Sequence, residues 1–220
     1  MRATRLLLAG FLLAASVPAA GSAQNAQQGR YFDDSWFWGL KGGVSTFTPT
    51  LGKSETAPTF GVDWLITRSR GGLYVSADQV NLNAMSAVFD PSAENSSRTV
   101  EVRDLRRIGV AALAFPKRFG RVRPYAGIGL SLNVVSEANP LLAADEDAID
   151  DAVYERTDER RSQAGFLGMA GIQAQFQRLA VFGQASVVPG GSRFLLNDRP
   201  LGFFEAGVRY NFSGSREGVR

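Results

Sequence analysis

The chain has 220 residues, 24 basic against 21 acidic for a formal net charge of +3, and neither histidine nor cysteine. The near balance gives no grounds for a nucleic-acid partner. Without cysteine there is no disulfide framework, lipoprotein anchor or thiolate metal site, and without histidine the commonest general base and metal ligand are both missing.

The first 23 residues have the form of an export signal. Arg2 and Arg5 precede the apolar run Leu6 to Ala15, and Gly21-Ser22-Ala23 supplies small residues before Gln24. Residues 1–23 are therefore set apart, and 24–35 form a short segment leading into the fold. No later stretch approaches the ~20 consecutive apolar residues of a spanning helix. A membrane location would require strands.

Eight strand-like segments follow, at 36–48, 58–68, 72–83, 99–115, 123–136, 162–176, 179–188 and 201–212. Side chains reverse at every residue of a strand, and these segments are two-faced. In the second, Phe60, Val62, Trp64 and Ile66 oppose Gly61, Asp63, Leu65 and Thr67. In the fifth, Ala126, Ile128, Leu130, Leu132 and Val134 oppose Tyr125, Gly127, Gly129, Ser131 and Asn133. In the last, Phe204, Ala206, Val208, Tyr210 and Phe212 oppose Glu205, Gly207, Arg209 and Asn211.

The connections alternate in length. Residues 49–57, 84–98, 137–161 and 189–200 are long and polar, whereas 69–71, 116–122 and 177–178 are short. Strands that reach the ~9–11 residues needed to cross a bilayer, joined this way, predict an all-β, eight-stranded, antiparallel up-and-down transmembrane barrel over 36–212, with 213–220 as a short tail. Glycines crowd the polar faces, making room in a narrow lumen for long charged neighbours. Trp36, Trp38, Phe176, Tyr210 and Phe212 gather at one rim as an interfacial aromatic girdle. The alternative is a soluble periplasmic ligand-binding barrel with its apolar faces turned inward.

The segment Arg123-Pro124-Tyr125-Ala126-Gly127-Ile128-Gly129-Leu130 resembles a strand opening common in small outer-membrane β-barrels of the opacity, OmpW-like and OmpX-like group. The ending Arg209-Tyr210-Asn211-Phe212 is similar to the terminal aromatic signature read by the outer-membrane assembly machinery. The resemblance implies an outer-membrane location, with lipid and lipopolysaccharide as surroundings and that machinery as a partner. It says little about activity. The chain departs from the pattern by continuing through Ser213 to Arg220.

Six charges fall on inward faces at similar heights: Lys41, Asp63, Asp78, Arg107, Glu205 and Arg209. Enclosed charges cost several kcal/mol each unless paired, so they predict a mid-barrel ionic network. The expected pairs are Lys41–Asp63 and Asp78–Arg107, with Glu205 shared between Lys41 and Arg209. In the long loop, Ile149, Ala152 and Val153 are spaced for one face of a short helix among carboxylates that include Asp145, Glu146, Asp147, Asp150 and Asp151. That cluster lacks the ligand spacing of a calcium loop and reads as a solvated surface. Phe194, Leu195 and Leu196 are expected to pack over the barrel mouth. Lys117, Arg118, Arg121 and Arg123 surround a turn that is either simply soluble or a contact for anionic head groups.

The expected role is structural or interactive, with an extracellular partner meeting loops 84–98, 137–161 and 189–200. The alternative is a narrow channel for small or hydrophobic solutes. No cofactor, metal or catalytic site is expected, because hydrolytic chemistry in such barrels relies on a histidine beside a serine or carboxylate.

Overall fold

The computed structural model describes residues 32–93, 95–142, 148–190, 194–196 and 199–212. The export signal, most of segment 24–35, the 213–220 tail, the Asp145–Asp147 carboxylates and parts of the 189–200 loop lie outside the described residues. Eight strands form: β1 (Trp36–Phe47), β2 (Glu55–Thr67), β3 (Gly71–Phe89), β4 (Ser97–Ala114), β5 (Val122–Pro140), β6 (Ser162–Phe176), β7 (Leu179–Val188) and β8 (Leu201–Asn211). One helix, α1 (Asp151–Glu159), stands between β5 and β6. Each strand pairs antiparallel with its sequence neighbour, and β1 pairs with β8 to close the barrel.

The faces run opposite to those of a soluble barrel. Ile128 is 77% exposed, Phe166 75% and Leu40 66%, while Arg209 and Asn133 are fully buried. Outward alternation therefore produces an apolar belt, and the polar groups point into the lumen. The five girdle residues all lie on the outside near the rim that carries the short turns, here called the lower rim. Trp38 stacks on Trp64 at 5.5 Å between ring centres, and Trp36 meets the same ring edge-on at 5.7 Å. Trp64 thus extends the girdle onto β2.

Four strands exceed their expected lengths. β3 continues to Phe89 and β4 begins at Ser97, so the 84–98 connection contracts to 90–96, while β5 continues to Pro140 and β2 begins at Glu55. The sequence places Ala84 to Phe89 in the connection, because Asn83 and Ser86 interrupt the alternation there. The inward side here, Leu82, Ala84, Ser86 and Val88, is buried and keeps the strand in register. At 18 or 19 residues, β3, β4 and β5 are nearly twice what a bilayer crossing needs, and they project beyond the belt.

A bulge at Asp104, whose φ is +52°, reverses the faces of β4. Below it Leu105, Arg107 and Gly109 point inward; above it Val100 and Val102 do. Aspartate is among the few non-glycine residues that enter this left-handed conformation readily.

The interior is layered. Phe32, Phe37, Leu65, Phe115 and Tyr125 fill its lower end, with Phe32 and Phe115 edge-on at 4.8 Å. Val80, Leu105, Val135, Val188, Leu201 and Phe203 fill the upper part. There Val153 of α1 and the triad Phe194, Leu195 and Leu196 are buried. The amide of Leu195 donates to the Arg160 carbonyl, and Ser86 Oγ donates to the Leu195 carbonyl. The helix expected from Ile149, Ala152 and Val153 is present, with the Asp150 side chain capping its first turn by accepting from the Ala152 amide.

Candidate functional site

Between the two apolar layers lie the six charges, all at most 5% exposed. Four form a closed ring of alternating sign. Arg107 Nη2 is 2.7 Å from Asp78 Oδ2, and Asp78 Oδ1 is 2.7 Å from Lys41 Nζ. Lys41 Nζ is 2.9 Å from Glu205 Oε1, and Glu205 Oε2 returns to Arg107 Nη2 at 3.1 Å. Arg209 and Asp63 make a separate pair, with Nε to Oδ1 at 2.9 Å and Nη2 to Oδ2 at 3.0 Å.

The Asp78–Arg107 pair is as expected from the sequence; the Lys41–Asp63 pair does not form. Glu205 is shared between Lys41 and Arg107, not between Lys41 and Arg209. The reason is register. Lys41 lies opposite Gly61 on β2, and Gly61 lies opposite Asp78 on β3. Lys41 therefore reaches its carboxylate two strands away, over a glycine. Arg209 lies opposite Gly39, which lies opposite Asp63, and crosses in the same way. A Cβ on Gly39 would stand 2.5 Å from Asp63 Oδ1 and 2.8 Å from Arg209 Cγ, so only glycine leaves the crossing open. Counting residues from the end of each strand ignores this stagger.

Gln184 joins the two ionic groups. Its Nε2 donates to Glu205 Oε2 at 3.0 Å and to Tyr74 Oη at 2.9 Å, and its Oε1 accepts from Tyr125 Oη at 3.0 Å. Arg209 also donates to Gln173 Oε1 at 2.8 Å. Both buried guanidinium groups lie flat on aromatic rings, Arg107 on Phe203 and Arg209 on Phe182, each at 3.6 Å. Gln184, Gln173 and these rings were not singled out in the sequence; their signal was only their place on inward faces. The arrangement holds charge firmly, with every carboxylate facing a cation.

Above the barrel, a second ionic clasp closes the β3–β4 connection. Asp90 Oδ1 accepts from the Ser92 hydroxyl and amide, and Arg98 Nη2 is 2.8 Å from Asp90 Oδ2. The Ser92 hydroxyl, followed by Arg98, holds the Asp90 carboxyl down at about 2. Among the described residues, no three acidic side chains gather into a metal-binding group.

A closed, antiparallel, eight-stranded barrel with an apolar outside and a charged inside defines the fold of small outer-membrane β-barrels. Solved structures agree on that fold. Neisserial surface protein A superposes with a TM-score of 0.55 at 17% identity, covering 80% of this chain and 97% of that one. Ail, the attachment invasion locus protein of Yersinia pestis, gives a TM-score of 0.50 at 12% identity, covering 82% of this chain and 100% of that one. No protein-family profile and no curated protein matches the sequence.

Proposed function

We propose that the chain is an outer-membrane protein that spans the bilayer as a filled barrel. It acts by holding its upper connections at the cell surface or by reinforcing the membrane, not by catalysis or transport. The observation that carries this reading is the inverted face pattern: the most exposed large side chains are apolar, and they ring a closed sheet. In water that surface would drive aggregation; against hydrocarbon chains it is stabilising. Lipid and lipopolysaccharide are then its surroundings, and the ending at Phe212 suits the assembly machinery.

The filled lumen is supported by the ionic ring and the apolar layer above it, which leave side chains in contact across the interior. A surface role accords with the neighbours' descriptions as a surface protein and an attachment protein. It also accords with Met85, Phe89 and Tyr154, which are 44%, 54% and 49% exposed on the projecting strands and helix. The non-enzymatic part of this reading is supported by carboxylates already engaged by cations and by the lack of histidine in the sequence.

Two measurements test the reading. Protein from a separated outer-membrane fraction should run at different mobilities boiled and unboiled; recovery in the soluble fraction with no mobility difference refutes the membrane barrel. In planar bilayers the folded protein should give no sustained conductance. Steady single-channel currents, raised by Lys41→Ala or Glu205→Ala, would instead establish a channel.

A further inference from the structure

At the lower rim, the β2–β3 turn, the β4–β5 turn and the N-terminal segment enclose a groove of about 370 Å³. Four of its lining side chains are cationic, Arg70, Lys117, Arg118 and Arg123, and one, Asp33, is a carboxylate; Ser69 adds a hydroxyl. Arg123 is the informative member. Its side chain is only 10% exposed, and its guanidinium lies on the Phe32 ring at 3.6 Å. Yet the nearest carboxylate oxygen, Asp33 Oδ1, stands 3.9 Å from Nη1, beyond hydrogen-bond reach. Among the described residues, no acceptor takes any of its guanidinium N–H groups.

The contrast with the interior is sharp. Arg107 and Arg209, which are more deeply buried still, each have carboxylate oxygens within 2.9 Å. A largely enclosed guanidinium whose only nearby carboxylate stands beyond hydrogen-bond reach has donors free for an oxyanion entering the groove, and arginine is the side chain whose planar fork matches two oxygens of one phosphate. We infer that this groove is a phosphate site, filled by the head group of a phospholipid in the adjoining leaflet. The phosphate chemistry stands on the groove alone; the lipid source rests on the membrane reading above.

The source is argued from depth. On the same turn, Phe119 is 57% exposed and Lys117 Nζ lies 5.3 Å from its ring centre. Arg121 lies over the Phe176 ring of the girdle at 5.4 Å. Aromatic rings with cations beside them mark the head-group level of a bilayer, which is where lipid phosphates sit. The groove opens at that level.

The test uses the full chain in neutral detergent, titrated calorimetrically with short-chain phosphatidylglycerol, with inorganic phosphate, and with a short-chain diacylglycerol lacking phosphate. Arg123→Gln and the double variant Lys117→Gln/Arg118→Gln should each weaken phosphatidylglycerol binding by about tenfold or more, the loss of a charge-assisted contact. Arg68→Gln, at the same rim but paired with Asp34 at 3.1 Å and outside the groove, should stay within about twofold. The diacylglycerol should not bind. Binding of inorganic phosphate but not the lipid overturns the head-group source and keeps the phosphate site. Binding of neither, or equal weakening by all three variants, overturns the site. Boiled against unboiled mobility reports whether each variant closes its barrel, separately from binding. If Arg123→Gln does not close, the turn double variant decides.

Discussion

Replacing Arg209 with methionine keeps a long apolar stem over the Phe182 ring and removes the charge. Every hydrogen bond to the Asp63 side chain in the described structure comes from Arg209, with Nε at 2.9 Å from Oδ1 and Nη2 at 3.0 Å from Oδ2. Both groups are fully enclosed. The variant therefore leaves a buried carboxylate with no partner, a change that costs about 3–5 kcal/mol. Lys41→Met is a milder perturbation, because Glu205 and Asp78 both keep Arg107 and Glu205 keeps Gln184. Its expected cost is roughly 1–3 kcal/mol, that of hydrogen bonds to charged groups partly replaced by others.

The assay is urea unfolding of the detergent-folded barrel, followed by tryptophan fluorescence. All three tryptophans, Trp36, Trp38 and Trp64, lie in one contact cluster across β1 and β2, so the emission reports strand separation at the seam that Arg209 crosses. The double variant Arg209→Met/Asp63→Asn removes the stranded charge and should recover about half of the single variant's loss. Two results would refute the reasoning: a cost below ~1 kcal/mol for Arg209→Met, or a double variant no more stable than the single one.

Gly39→Ala should impair barrel closure, since its Cβ would stand 2.5 Å from Asp63 Oδ1, whereas Gly183→Ala meets nothing within 4 Å and should be neutral; the fraction running as unboiled barrel compares them. Asp90 has a carboxyl held near 2, below the ordinary ~3.9 of an aspartate, so its stabilisation is complete above about pH 4 and is lost as pH falls toward 2. Amide exchange across 90–98 should accelerate over that window, and Asp90→Asn should exchange fast at neutral pH. Leu195→Asp places a charge at a fully buried position within the 189–200 connection, and should make that connection cleavable by limited proteolysis while the barrel remains intact. An unchanged digestion pattern would mean the triad does not hold the connection down.

The strands and their faces were legible because alternation is local: Phe204 to Phe212 declares its two sides without reference to any other strand. The upper extension of β3 beyond residue 83 was not, because Ser86 and the polar run that follows Phe89 have the composition of a loop, and only Ala84 and Val88 packing inward reveals a strand. The reversal at Asp104 was equally hidden. Val100 and Val102 lie out of phase with Leu105 and Arg107, but the bulge that reconciles them depends on a backbone angle. Charge pairing lay furthest from the sequence. It needs the register between strands, and Lys41 and Asp63 are close in height yet belong to different rungs.

That failed pair explains what the charges do for the fold. A one-residue slip of β1 against β2 would turn every side chain to the wrong face, and the apolar belt forbids it. A two-residue slip preserves both faces: Trp38 would exchange Trp64 for Ile66, and the outer belt would remain apolar. The same slip would bring Lys41 opposite Asp63, but Gly39 would then face Leu65, taking Asp63 out of reach of Arg209 across that glycine. Asp78 would keep Arg107 and lose Lys41. One new pair would form at the expense of two existing contacts, leaving an enclosed arginine without its carboxylate, which costs several kcal/mol. The belt selects which face is inside; the ionic ring and the Arg209–Asp63 pair select which rung meets which. The glycines at 39 and 61 make that selection possible, because only where a strand presents no side chain can a charge reach across it.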